Sequence, residues 1–338
     1  MKTIDPNFPL VDLHRHLEGS IRMDTILELG RQHNLQLPGW DEESLRPYVQ
    51  VTKPQPGVMA FIAKIELVVS VLADYAACQR VAYEYVADAK TEGLDYVELR
   101  FSPYFMAEPH GLDPVGVVES IIDGIEAARS DTGMNVNLIG IISRTYGPEI
   151  ANDELSALLE SKDNIVGLDL AGDEAKFPGE LFVDHLKKAR DAGWHVTIHA
   201  GESSGPESVW QAIRDLGAER IGHAVHAEGD PSLMEYMAEN GIGIEANLTS
   251  NVQTSTVPDY PSHPLRQFLE LGLCGTINTD DPRISGIDIQ YEYEVAALAA
   301  GLTHDQIYQA QRNALEAAFL SNQDKRELVQ KCAQDTPS

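Results

Sequence analysis

Histidines and carboxylates stand in short, separated motifs along this chain: His14-Arg15-His16, His199-Ala200-Gly201-Glu202, Gly222-His223 and Asp280-Asp281-Pro282. Three imidazoles and one carboxylate suit zinc, which takes nitrogen and oxygen ligands and, in catalytic sites, leaves one position open for water. Residues two apart on an extended strand point the same way. His14 and His16 can therefore reach one ion. The candidate ligands are His14, His16, His199 and Asp280, holding one Zn²⁺ per chain. Water at such an ion ionises near neutral pH, and Glu202 and His223 remain for proton transfer. A lone histidine at the end of a strand more often serves structure. Four of 11 histidines at one end of a fold, beside a double aspartate, are a different matter.

Bringing these motifs together requires elements that all finish on one face. Short apolar, β-rich runs followed by a polar or glycine break and then a helical stretch recur along the chain, the pattern of parallel βα units. Eight strands are expected, at Pro9 to His14, Tyr96 to Phe101, Asn137 to Ile142, Ile165 to Leu170, His195 to His199, Arg220 to His223, Ile242 to Ala246 and Cys274 to Asn278. The clearest helices between them are Phe182 to Ala192, Pro206 to Leu216, Pro231 to Asn240 and His263 to Leu271. The expected fold is α/β: a (β/α)₈ TIM barrel, one unit over residues 1–338, with C-terminal helices. Active sites of such barrels lie at the C-terminal ends of the strands, where the motifs stand. About 80 residues separate the first strand from the second, so a helical insertion is expected there. Val58, Phe61, Ile62, Ile65, Val69 and Leu72 form a helical stripe in it. Most of that stripe packs on the barrel; Val58, Phe61 and Ile62 are candidates to cover the mouth.

Composition narrows the partners. Lys+Arg is 25 and Asp+Glu is 53, a formal net charge of -28. That field repels a phosphate backbone, so no nucleic acid polymer is expected as a partner. Most of these carboxylates solvate helix faces. No apolar run is long enough to span a bilayer, and Met1 to Leu10 is too short and polar for a signal peptide, so no membrane partner is expected. Cys78, Cys274 and Cys332 lie far apart, as suits free thiols in the cytoplasm. Oligomeric state is not legible.

In order and spacing, LVDLHRHLEGS, YVELRFSP, LDLAGDE, HAGE, IGHAV, LTSN and NTDDP resemble the adenosine deaminase family, its bacterial members above all, over nearly the whole chain. The resemblance implies a zinc barrel that hydrolyses a purine nucleoside, adenosine and with it 2′-deoxyadenosine, to the 6-oxo product and ammonia. It implies that Glu202 protonates purine N1, that His223 orients the attacking water or takes its proton, that Asp281 bonds N7 and that the Gly172 amide meets N3. Glu18 departs from the pattern, since many members carry aspartate there against the ribose. The longer side chain either reaches a ribose hydroxyl or fills ribose space, which favours adenine. Ala224 replaces a glycine usual in the family.

Alternatives follow from the same residues. Another 6-aminopurine would use the same chemistry. A two-metal amidohydrolase often carries a lysine where this chain has Gly172 and Asp173. A purine-binding protein without activity would not need Glu202. Arg100 is expected in a buried ion pair beneath the site, Asp169 and Asp173 as supports of it, and His110, His185, His226, His263 and His304 at the surface.

Overall fold

The computed structural model describes residues 2–335; Met1 and residues 336–338, the ends of the expected unit, lie outside the described residues. Eight strands form one parallel sheet in sequence order: β1 (Val11–His16), β2 (Tyr96–Phe101), β3 (Asn135–Ser143), β4 (Gly167–Ala171), β5 (His195–Ala200), β6 (Arg220–His223), β7 (Gly243–Ala246) and β8 (Cys274–Ile277). Strands covered on both faces have no reason to alternate apolar with polar, which is why they read as apolar runs. β1 starts two residues later than expected. Proline offers no N–H to a ladder, the Leu10 N–H goes to Asp95 Oδ2 at 2.9 Å, and pairing with β2 begins at Val11.

The sheet closes into a barrel at the predicted metal ligands. The His16 N–H donates to the Asp280 carbonyl and the Asp280 N–H to the His14 carbonyl, both at 2.8 Å. The backbone seam between the first and last strands thus fixes three candidate ligands relative to one another.

The long first crossover holds α1 (Met23–Gln32), α2 (Glu42–Val49), α3 (Val58–Val69) and α4 (Tyr75–Thr91). The stripe expected to run to Leu72 stops at Val69, and Asp74 caps the next helix by accepting the Ala77 N–H at 2.8 Å. Ile65, Val68 and Val69 bury one side of α3, while Val58 and Ile62 stay half-exposed at its start. Val97, Leu99 and Phe101 of β2 join the apolar layer between barrel and helices. Glu98 and Arg100, on the opposite face of the same strand, point into the barrel and are fully buried.

Inside the barrel these two belong to a belt of charge. Arg220 bonds Glu98 at 2.5 Å and Glu245 at 2.6 Å; Arg100 bonds Glu245 and Asp169, each at 2.8 Å. Thr197 Oγ1 donates to Glu245 at 2.9 Å. Burial opposes ionisation of Glu245, but the flanking Arg100 and Arg220 hold its carboxyl well below the usual range.

Candidate active site

The belt carries the mouth on its shoulders. Glu245 takes the Nδ1 hydrogen of His14 at 2.7 Å, and Asp169 takes that of His199 at 2.9 Å. With Nδ1 engaged, each ring turns a bare Nε2 toward the mouth, the arrangement that prepares histidine for a metal. His14 Nε2 is buried without a hydrogen-bond partner, 3.2 Å from Asp280 Oδ1. His16 Nε2 lies 3.4 Å from the same oxygen and 3.3 Å from His199 Nε2. His14, His199, His223 and Asp280 each offer an atom within 4.8 Å of the others. His223, expected to move protons, therefore sits as close as a ligand would, and His16 approaches the same space from the end of β1.

The electrostatics match a cation site. Burial lowers His16, His199 and His223, outweighing Asp280 beside His16 and His223 and Asp169 beside His199, and favours their neutral rings. Burial and Arg100 act the same way on His14, but the carboxylates of Asp280 and Glu245 beside its ring outweigh them and raise it. Burial opposes ionisation of Asp280, yet His14, and after it His223 and His16, hold it well below the usual range. The donor set, three imidazoles and a carboxylate, with Nδ1 of His14 and of His199 held by carboxylates, fits a zinc-like ion.

Beside the cluster lie three acids of opposite tendency. Burial, then repulsion from Asp280 and Glu174, raises Glu202 well above its ordinary value. Burial, then Asp280, Glu18 and Glu202, does the same to Asp281, whose Oδ1 has no partner. Burial takes Glu18 to about 7. Its Oε1 accepts the Ser102 N–H at 2.7 Å and its Oε2 is orphaned. Gly19 is required here: a Cβ would stand 1.7 Å from Asp281 Oδ1. Gly172, at φ +109°, lets the chain turn after β4 where a Cβ would strike Thr145 Oγ1.

His16, His199, His223, Asp280, Glu202, Asp281 and Glu18 face one cleft, which His14 does not line. Val58, Phe61 and Ile62 of α3 line it together with Gly172, Glu18 and Asp281.

Residues 9–335 match the family model described as adenosine deaminase. An adenosine deaminase of Edwardsiella ictaluri is 58% identical over 96% of this chain and 98% of its own length. One of Vibrio parahaemolyticus is 56% identical over 97% and 98%. The chain belongs to the adenosine deaminase family. Among solved structures, an adenine deaminase of Arthrobacter aurescens shares the fold with a TM-score of 0.87 at 23% identity, over 96% of this chain and 98% of that one. The N6-mAMP deaminase of Arabidopsis gives 0.83 at 25%, over 97% and 98%.

Supports of this deaminase-family site were only partly foreseen. Arg100 makes the buried ion pairs expected of it, and Asp169 orients His199. Asp173, past the turn at Gly172, binds Lys176 at 3.0 Å. Its neighbour Glu174 does the supporting, accepting the N–H groups of Gly201, Glu202, Ser203 and Ser204 at 2.7–3.2 Å and so fixing the loop that carries Glu202. Glu245 was missed as well, although a lone carboxylate inside an apolar strand was its signal. His185 and His263, expected at the surface, are buried because each ring finds polar partners inside: the Pro148 carbonyl for His185, Asn251 and the Leu265 N–H for His263. His226 is half-buried with Nδ1 at 3.0 Å from the Gly201 carbonyl.

Proposed function

We propose that this chain hydrolyses adenosine to inosine and ammonia, with zinc held by His14, His16, His199 and Asp280. The observation that carries this reading is the convergence of a cation-ready histidine–aspartate cluster and a proton-retaining Glu202 on one cleft. Relatives at 55–58% identity named adenosine deaminase support the substrate. An ion held there would supply a Lewis acid that lowers the pKa of the attacking water.

The side chains do the rest. Glu202 keeps a proton in a buried, anionic neighbourhood and gives it to purine N1, making C6 electrophilic. Asp281, protonated for the same reason, donates to N7, and the Gly172 amide donates to N3. His223 orients the water whose oxygen adds to C6. Of that water's two protons, one restores Glu202 and the other joins the amino group. The C6–N bond breaks, ammonia leaves, and N1 keeps its hydrogen in the 6-oxo product. Glu18 Oε2, orphaned at the cleft, reaches a ribose hydroxyl. Val58, Phe61 and Ile62 exclude water from above.

The partner is a small purine nucleoside. No helix among the described residues is long and apolar enough to cross a membrane, and the free cysteines are consistent with work in the cytoplasm. The test is the initial rate of the zinc-loaded protein on adenosine and on adenine, side by side. Strong preference for adenosine is expected; preference for adenine would mean that Glu18 fills the ribose space.

A further inference from the structure

We propose that Asn251 and His263 are positioning residues that fix the tautomer of His223, so that its Nε2 holds the hydrogen and meets the substrate side as a donor. This rests on the placement of His223 in the active site proposed above. The relay begins at a group with only one role. The backbone N–H of Leu265 points at His263 Nδ1 at 3.1 Å, and a backbone N–H can only donate. His263 Nδ1 is therefore an acceptor, and the ring hydrogen sits on Nε2. That nitrogen lies 3.1 Å from Asn251 Oδ1, which settles the orientation of the amide. Asn251 Nδ2 then donates to His223 Nδ1 at 2.9 Å. His223 Nδ1 accepts, and its hydrogen is left on Nε2. An imidazolium at either ring would aim an N–H at another donor. His223, Asn251 and His263 are all buried, so water does not scramble the relay.

The consequence is a division of labour among three neighbouring imidazoles. His14 and His199 give Nδ1–H to carboxylates and present bare Nε2 atoms. His223 is wired the opposite way: the amide donors of Asn251, at 2.9 Å, and Asn247, at 3.3 Å, meet its Nδ1. Its Nε2, 4.0 Å from Asp280 Oδ2, carries a hydrogen and cannot ligate a cation or accept a proton. His223 thus holds the attacking oxygen by donation and stabilises charge developing there; it is not the base.

Long-range ¹H–¹⁵N NMR of the zinc-loaded, ¹⁵N-histidine-labelled protein reads the tautomer directly. The expected signature is Nε2–H for His223; Nδ1–H or an imidazolium at neutral pH overturns the proposal without any variant. Asn251→Asp keeps the shape but offers only acceptors, so His223 should switch to Nδ1–H. Its kcat should fall about 10²-fold or more, with KM within about 3-fold and zinc content unchanged. A kcat near wild type overturns the proposal. His263→Gln retains a donor toward Asn251 and should recover much of the rate lost in His263→Leu; equal loss in both would reduce His263 to packing. A wild type that shows Nε2–H yet deaminates neither adenosine nor adenine would refute the substrate reading and still support the relay.

Discussion

The belt inside the barrel and the ring at its mouth are built from the same kinds of side chain, and they treat those side chains in opposite ways. In the belt, Arg100, Arg220, Glu98, Asp169 and Glu245 share close ion pairs, and Arg100 Nε is their one buried atom without a partner. At the mouth, His14 Nε2, Glu18 Oε2 and Asp281 Oδ1 are buried and unpartnered. A buried polar atom left open costs about 1–3 kcal/mol, so three together mark a place shaped for something else. The backbone tells the same story. His223, Ala224 and Asp280 all adopt positive φ at the mouth, while no belt residue does. Satisfied charge sets geometry; unsatisfied charge awaits a ligand.

The largest effect expected from this contrast is at Glu202. Glu202→Gln preserves shape and removes the transferable proton. Turnover should fall by about 10²–10⁴-fold or more, with zinc content and fold retained. Steady-state rates with metal analysis decide it, and near-wild-type turnover would remove Glu202 as the proton donor. Next comes the belt. Arg100→Met leaves Asp169 with His199 alone and takes one of the two arginines from Glu245, and breaking a buried pair costs about 3–5 kcal/mol. Denaturant unfolding of the zinc-loaded protein should show that loss; a cost under about 1 kcal/mol would mean that the belt does not act as a unit.

Glu292 tests whether an orphaned carboxyl outside both layers behaves as the mouth acids do. Its Oε1 accepts the Thr249 N–H at 3.2 Å, its Oε2 has no partner, and burial raises its pKa to about 8. The sign follows from linkage. The unfolded carboxyl loses its proton near pH 4.5 while the folded one keeps it to about 8. Stability from this group is therefore full below pH 4.5 and is lost as pH rises to about 8, by at most roughly 1.4 kcal/mol per pH unit. Glu292→Gln should flatten that decline, so its unfolding midpoint should gain on wild type between pH 5 and pH 8.5. Parallel profiles would show that Glu292 is ionised in the fold.

Much of this arrangement was legible in the sequence because periodicity carries it. Strands with two buried faces read as apolar runs, and HxH on a strand places two rings on one side. The supports were harder. Asn251 and His263 stand in loop and helix segments whose letters look like turn chemistry, and their role depends on a hydrogen-bond chain that crosses from one βα unit to the next. Glu174 is one residue past the expected Asp173, and only the turn at Gly172 decides which carboxylate faces the loop of Glu202. Glu98 and Arg100, two apart in an apolar strand, were the readable signal of an interior belt; Arg100 was read and its partners were not.

The smallest effect is at Ala224, a side-chain-bearing residue at a φ of 54°. A side chain in that region costs about 1–2 kcal/mol, so glycine should relieve strain. Two terms oppose it. Glycine loosens the unfolded chain by about 0.4–1 kcal/mol, and the fully buried Ala224 methyl contributes about 0.8 kcal/mol. The terms nearly cancel, so Ala224→Gly should move stability by less than about 0.5 kcal/mol in denaturant unfolding. A gain above about 1 kcal/mol would show that the mouth stores more strain at this turn than its neighbours reveal. A loss of that size would show that the methyl is needed to pack the turn that presents His223, and that the contrast between a strained mouth and a relaxed belt fails at this residue.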